Sequence, residues 1–176
     1  MNGRWRPIWR PMEPADLDRV MAIAEVVHPD YPEDRAVFAE RLALYPDGCA
    51  MAETHAAEAD GVCIGYIVMH PGRLGTPPPL DSPLGALPEA PDCLYLHDVA
   101  LLPAARGLGL GVAALERMNA LAARQGFRWL ALTSTPGARA FWDAQGFLPQ
   151  DGGPGLAAKL ASYGGGMTYM AKPVKK

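Results

Sequence analysis

The chain has 176 residues and 49% hydrophobic content, which is enough to bury a substantial core, so a single domain over residues 1–176 is expected. Sixteen basic against nineteen acidic residues, with no long run of Lys or Arg, argue against nucleic acid or an anionic membrane as the main partner. The start MNGRWRPIWRPM lacks the apolar segment of a signal peptide, and no stretch approaches the ~20 apolar residues of a membrane span. These features predict a cytoplasmic protein.

The first half of the chain predicts a strand, two helices and a hairpin. The strand at 5–10 precedes helices at 13–27 and 33–44, the second with the stem of Arg41 on its apolar face. Strands at 49–55 and 62–70 are expected to be joined by a turn at Asp60-Gly61.

The segment 71–91 contains seven prolines and no periodic pattern. A loop of this length in a compact domain usually has a function, such as a lid or a pocket wall. The three cysteines, Cys49, Cys63 and Cys93, are widely spaced in apolar stretches and indicate neither a disulfide framework nor a metal site, so we expect reduced core residues.

The second half predicts a βαβ unit. CLYLHDVALL, from residue 93, is a strand by composition, and a helix at 112–124 leads to a second strand, FRWLALTST, at 127–135. Strands joined by such a helix run parallel with a right-handed crossover. Thr135 is expected to cap a short helix, and the glycine-rich residues 150–166 predict only a connection before a last strand at 167–173.

Three glycines at alternate positions, in RGLGLG at 106–111, precede the helix of this unit. Glycine is a poor residue for starting a helix unless the backbone must come close to something, and no Ser, Thr, Asp or Asn is present to cap it. Unpaired amides, the positive end of the helix dipole and Arg106 together predict a cradle for a phosphate or pyrophosphate. The alternative is a turn whose amides face water.

A Rossmann-type nucleotide site is a further alternative, because Gly109 to Ala114 also fits G-x-G-x-x-A. The fit is poor. Four residues, Pro103 to Arg106, separate the strand from the glycines, and the next strand ends in Thr133-Ser134-Thr135 with no acid for a ribose.

The pattern Leu101-x-Pro103-x-x-Arg106-Gly107-x-Gly109-x-Gly111, followed by a helix, a strand and ARAFWDAQGF, strongly resembles the GNAT superfamily of N-acetyltransferases. The resemblance implies a mixed α/β (α+β) fold. Its sheet is mostly antiparallel, with six or seven strands, helices on both faces and one central parallel pair splayed to hold acetyl-CoA. It further implies transfer of the acetyl group of acetyl-CoA to a primary amine of a small molecule by direct attack in a ternary complex. A homodimer is left open.

The resemblance also implies which residues bind. In that family the glycine loop binds the pyrophosphate of acetyl-CoA, and the preceding strand gives main-chain hydrogen bonds to the pantetheine arm. The implied cofactor-binding residues are Val99, Ala100, Leu101, Arg106, Gly107, Leu108, Gly109, Leu110, Gly111, Val112, Thr135, Ala138, Phe141 and Trp142. The acceptor amine is expected beside the proline-rich loop and the break between the first two helices, with His28, Tyr31 and Glu33 as substrate-binding residues.

The reaction requires a proton acceptor, because an amine is mostly protonated at neutral pH and must lose a proton before it attacks. His97 and Asp98 are the predicted catalytic residues, although neighbours in a strand face opposite sides unless a bulge intervenes. Failing both, the base would be a water chain or a residue of the first helices, such as Glu25 or His28.

The leaving thiolate raises a separate question. Trp142 stands where many members of the family carry a tyrosine that acts as general acid, and indole is no acid. We therefore expect CoA to leave as a thiolate, or with a proton from another group such as Tyr95, Tyr163 or Tyr169. Because this tyrosine is missing, the alternative function is that of a non-catalytic CoA-binding sensor with the same fold.

Overall fold

The computed structural model describes residues 6–56 and 59–176. These form seven strands, which are Arg6–Pro11 (β1), Cys49–Ala56 (β2), Ala59–Gly72 (β3), Cys93–Leu101 (β4), Trp129–Ser134 (β5), Leu148–Pro149 (β6) and Thr168–Pro173 (β7). The α-helices are Leu17–Val27 (α1), Arg35–Leu44 (α2), Leu110–Gln125 (α3), Arg139–Ala144 (α4) and Gly153–Ala161 (α5). None of these helices is long and apolar enough to cross a membrane.

The strands make one open sheet in the order β1-β2-β3-β4-β5-β7-β6. Only β4 and β5 are parallel; the other neighbouring pairs are antiparallel. One face packs against α3 and α4 through a core that includes Leu96, Met118 and Trp142. The opposite face packs against α1 and α2 around Tyr66, and against α5 through Leu156. The predicted mixed sheet with helices on both faces is confirmed.

The parallel pair separates at its C-terminal end. β4 and β5 are paired only from Cys93–Leu96 to Trp129–Leu132. Beyond that point β4 continues along β3 to Leu101, and β5 continues along β7 to Ser134. The inner edges of the two strands therefore diverge, and their main-chain N–H and C=O groups can bond to something other than a neighbouring strand.

A β-bulge interrupts β4 just where the strands diverge. Val68 pairs with Asp98 and the next residue, Met69, pairs with Leu96, so His97 is the extra residue. The extra residue shifts the alternation of side chains by one position. His97 and Asp98 consequently lie on the same face of the sheet, where the His97 ring packs beside Phe38 and Asp98 bonds to Tyr66. The restriction that only one of the two could point into a cleft does not apply.

Several element predictions were wrong. Asp60 and Gly61 lie within β3 rather than in a turn, and residues 57 and 58 fall outside the described part of the chain. Residues 150–166, predicted as a connection, contain α5, whose Leu156 and Leu160 pack on the sheet. The proline-rich loop begins only at residue 73, because β3 continues to Gly72.

Smaller differences concern helix ends and burial. α3 starts two residues earlier than predicted, and Thr135 makes no side-chain cap bond although Pro136 does open a 3-10 turn. The predicted first strand is present from Arg6, while Trp5 lies outside the described residues. Cys49 and Cys93 are buried as expected, whereas Cys63 is only partly buried.

Candidate active site

The glycine loop between β4 and α3 presents its backbone to open space. Gly107 and Gly109 adopt left-handed φ angles of 76° and 75°. A Cβ added at either position would meet no atom of the described residues within 4 Å. Internal packing therefore does not require these glycines. α3 then begins at Leu110 without a side-chain cap, so its first N–H groups are available to an anion.

The other residues predicted to bind the cofactor around this loop differ in exposure. Arg106, Leu108 and Val112 are exposed and flank the loop. Leu110 is buried in a cluster with Ala52 of β2 and Ile64 of β3, so only its main chain can touch a ligand.

An apolar cleft leads from this loop into the gap between β4 and β5. Val99, Leu101, Gly111, Ala138, Phe141 and Trp142 line it. Ala100 does not, because its side chain is buried on the opposite face of the sheet. Of the residues predicted on β4, two thus face the cleft with their side chains, and Ala100 can take part only through its main chain.

A second, polar cavity adjoins the apolar cleft and shares Leu96, Val99, Ala138 and Trp142 with it. The predicted catalytic residues, His97 and Asp98, line this cavity. The predicted substrate-binding residues and Thr135 line it as well; the former are His28, Tyr31 and Glu33. The structure therefore brings together residues from three separate parts of the sequence.

Asp98 lies at the centre of one hydrogen-bonded group in the cavity. Its Oδ1 is 2.9 Å from Nε2 of His28, and its Oδ2 accepts a short hydrogen bond of 2.5 Å from the Tyr66 hydroxyl. Burial alone would raise the pKa of the Asp98 carboxyl, but the bonds and charge from His28 and Tyr66 hold that pKa below its usual value. Asp98 is thus an anchored carboxylate.

His97 belongs to a separate pair. Its Nε2 lies 2.8 Å from Oε1 of Glu33, and its side chain is only 1% exposed. The other ring nitrogen, Nδ1, is buried without a hydrogen-bond partner among the described residues. Although His97 lines the cavity, its nitrogen atoms are not open to a substrate.

The three tyrosines considered as general acids lie in different surroundings. The Tyr95 hydroxyl is 2.8 Å from Oγ1 of Thr133, and the Tyr169 hydroxyl accepts from the amide of Gly75; neither residue lines the cavity. Tyr163 does line it and donates to the carbonyl of Pro78. Burial raises the pKa of Tyr163 to about 12.

The proline-rich loop, residues 73–92, forms a wall over the cavity. Leu80 lines the cavity directly, and the amide of Asp81 donates to Oε2 of Glu33. In return, Oδ1 of Asp81 accepts from the amide of Asp34. On the α2 side, the wholly buried Arg41 donates to the carbonyl of Ser82. The loop is therefore fixed against α2 and the α1–α2 connection.

Sequence reasoning missed Tyr66 and Leu80. Tyr66 lies in a predicted strand, but its bond to Asp98 depends on the register of β3 against the bulge, for which the sequence carries no signal. Leu80 lies in a segment that has no periodicity, so no pattern could place it in the cavity.

Comparison with protein-family models matches residues 11–147 to the acetyltransferase (GNAT) family. The chain therefore belongs to this family of acyltransferases. A comparison with curated protein sequences gave no significant match.

Solved structures share the fold over nearly the whole chain. The loading GNATL domain of CurA from Lyngbya majuscula has a TM-score of 0.73 at 14% identity, covering 96% of this chain and 98% of that one. Ard1 from Thermoplasma volcanium gives 0.69 at 15% identity, with coverages of 97% and 99%. Arabidopsis thaliana Naa50, in complex with the bisubstrate analogue CoA-Ac-MVNAL, gives 0.65 at 14% identity, with coverages of 95% and 98%. At these identities the likeness concerns the fold alone.

The position of Trp142 between the core and the site yields a first prediction. Its side chain lies in the core against Phe147 and also lines both the cleft and the cavity. We expect Trp142→Phe to lower stability by roughly 1–2 kcal/mol, because the smaller ring leaves a void. Acetyl-CoA should bind less tightly, while kcat at saturating acetyl-CoA should fall less than threefold. Isothermal titration calorimetry and steady-state kinetics would test this, and a hundredfold loss of kcat would contradict it.

Proposed function

We propose that this protein transfers the acetyl group of acetyl-CoA to a primary amine of a small molecule. The observation that carries the proposal is the arrangement of loop, cleft and cavity next to one another. Gly111, at the end of the uncapped glycine loop, lines the apolar cleft, and the cleft shares Leu96, Val99 and Trp142 with the polar cavity. Naa50, which has the same fold, is a structure with a CoA-containing bisubstrate analogue, and this supports the use of CoA here.

The parts of this arrangement match the parts of acetyl-CoA. The amides of residues 107–112 and the Arg106 guanidinium would hold the pyrophosphate. The diverging edge of β4, from Val99 to Leu101, would bind the pantetheine arm through its main chain, with Phe141 and Trp142 forming the apolar wall. The thioester would then lie beside Val99, where the cleft meets the polar cavity.

Acetyl-CoA supplies an activated acetyl group. The amine nitrogen forms a bond to the carbonyl carbon, the carbon–sulfur bond breaks, and CoA leaves with the electron pair of that bond. The chain's part is to bring the amine to this carbon, to accept its proton and to donate a main-chain N–H near Val99 to the carbonyl oxygen. A thiol pKa of ~8.5 permits departure as the thiolate. Of the three tyrosines considered, Tyr163 is the one that lines the cavity, and it would be the proton donor if the thiolate requires one.

The acceptor end of the arrangement has room for a small amine. The polar cavity has a volume of about 110 Å³, and the proline-rich loop forms one of its walls. The groove along α1, which shares His28, Glu33 and Asp98 with this cavity, has about 710 Å³, within the ~300–1,000 Å³ typical of pockets for small molecules. The carboxylates of Glu33 and Asp98 suit a positively charged ammonium group. Because both are hydrogen-bonded to protein groups, they act through charge rather than by direct ligation.

Ligand binding and turnover test the proposal separately. A ligand at ~100 times its dissociation constant stabilises the native state by roughly 2.7 kcal/mol, which for a chain of this size raises Tm by about 5–10 °C. We expect this shift with acetyl-CoA and CoA but not with NAD or NADP. Thiol release that depends on an added small amine would then establish transfer.

Two other outcomes would overturn the proposal. An equal shift with NAD would remove the CoA assignment. A CoA-selective shift with no thiol release for any amine in a broad panel would favour the CoA-binding sensor that Trp142 suggests.

A further inference from the structure

We propose that His28 is the general base of this site and that Asp98 is the residue that positions it. The inference rests on the proposed function and assigns the proton acceptor within it. It differs from the prediction made from the sequence, in which His97 and Asp98 on β4 are the catalytic residues.

The hydrogen bonds of His28 determine which ring nitrogen carries the proton. Nε2 lies 2.9 Å from Oδ1 of Asp98 and 3.1 Å from the carbonyl oxygen of Val99. A carboxylate and a carbonyl can only accept, so Nε2 must be the donor. In the neutral imidazole the lone pair therefore resides on Nδ1. His28 lines the cavity with 27% of its side chain exposed, and its Nδ1 has no hydrogen-bond partner among the described residues, so we assign this nitrogen to the acceptor amine.

The other carboxylates and histidines of the cavity are already engaged. Both oxygens of Asp98 accept hydrogen bonds, from His28 and from Tyr66. Both oxygens of Glu33 are likewise bonded, to His97 and to the amide of Asp81. His97 is bonded through Nε2 and is nearly inaccessible. Among the described carboxylates and histidines that line the cavity, His28 is thus the one with a side-chain nitrogen or oxygen atom that is neither hydrogen-bonded nor buried by the protein.

The surroundings of His28 adjust its basicity in the required direction. Asp98 approaches it from β4 with Tyr66 of β3 behind, Glu33 and Tyr31 lie on the α1–α2 connection, and Asp18 and Glu25 line an adjoining groove along α1. Burial alone would lower the pKa of His28, but its hydrogen bond to Asp98 and the charges of Asp98 and Glu33 raise that pKa above 6.5. A base with a pKa near the working pH is the most effective one.

The proton balance follows from this arrangement. The ammonium group of the substrate gives one proton to Nδ1 of His28, and the free amine attacks the acetyl carbon. The nitrogen of the tetrahedral adduct then loses a second proton, which the departing thiolate sulfur takes as the carbon–sulfur bond breaks, so that CoA thiol and the amide are released. The resulting imidazolium is stabilised by the Asp98 carboxylate, which stays ionised throughout. The groove along α1 shares His28, Tyr31, Glu33 and Asp98 with the cavity, and it offers the route by which the proton returns to solvent.

The kinetic test uses three variants, with an amine whose own pKa lies above about 9 so that the acidic limb belongs to the enzyme. We expect His28→Gln to lower kcat by ~10²–10⁴-fold while the Kd for acetyl-CoA changes less than threefold. In the wild type, kcat should rise with pH through a pKa above 6.5, since the base must be unprotonated. In Asp98→Asn this limb should move to lower pH, because the charge that raises the pKa is gone. Added imidazole should partly restore His28→Ala, which a merely structural loss would not allow.

A second measurement does not depend on turnover. Nitrogen-15 NMR of the imidazole in the free protein should show the Nε2–H tautomer of His28, with a pKa that falls in Asp98→Asn. Observation of the Nδ1–H tautomer overturns the inference. Turnover by the wild type with kcat retained within threefold by His28→Gln overturns the base role and leaves the proposed function intact. No turnover by the wild type with any amine overturns the proposed function, and the base role with it.

Discussion

Gly109→Asp should weaken acetyl-CoA binding at least a hundredfold while the protein still folds. A Cβ at this position would meet no atom of the described residues within 4 Å, so the substitution does not disturb the packing around the loop. Its carboxylate would occupy the cradle for the pyrophosphate, and like charges brought together in a binding site disfavour association by several kcal/mol. About 2.8 kcal/mol is needed for the hundredfold loss, since each factor of ten corresponds to ~1.4 kcal/mol. Isothermal titration calorimetry measures this directly.

Gly126→Asp is the matched control. Gly126 ends the same helix at its other end, has a similar φ of 79° and is equally unobstructed. Both variants therefore carry the same backbone strain, roughly 1–2 kcal/mol for a residue that is not glycine. Only Gly109→Asp should lose acetyl-CoA. If both variants bind it with wild-type affinity, the loop is a turn and does not hold the cofactor.

Phe147→Ala should destabilise the fold by about 3–5 kcal/mol, a large share of the ~5–15 kcal/mol by which domains are stable. Phe147 is completely buried in the core beneath α3 and α4, and its ring packs edge-on against Trp142. Removing the ring leaves a cavity that these surroundings cannot fully close. Urea unfolding followed by tryptophan fluorescence should show a lower midpoint with an unchanged m-value.

Phe141→Ala provides the comparison on the other side of the same tryptophan. Phe141 also contacts Trp142 edge-on but is 41% exposed and lines the apolar cleft. We expect a loss of stability of at most ~1 kcal/mol, together with weaker acetyl-CoA binding. Equal losses of stability from Phe147→Ala and Phe141→Ala would contradict the assignment of Phe147 to the core and of Phe141 to the cleft.

The sequence predicted the elements whose signals are local. The βαβ unit follows from one apolar strand, one amphipathic helix and a second apolar strand, and the structure has all three. α5 was missed because glycines and a proline dominate its first turn and hide the pair Leu156 and Leu160. These two leucines become informative only when the sheet is present to bury them.

The candidate site was predicted as a set of residues but not as a geometry. The break after α1 did supply His28, Tyr31 and Glu33 to the cavity. The hydrogen-bond partners of these residues on β4 depend on the bulge at His97. The sequence of β4 contains neither glycine nor proline that would indicate this bulge. The pairs His28–Asp98 and Glu33–His97 are therefore products of tertiary register.

The seven prolines between residues 71 and 91 have a consequence for the conformational entropy of the chain. A proline whose native φ suits its ring restricts the unfolded chain and stabilises the fold by ~0.4–1 kcal/mol. The prolines thus lower the entropy that the proline-rich loop loses on folding. The loop is ordered when the chain folds, before any amine binds. The cavity then exists in the free protein, and little binding energy is spent on closing it.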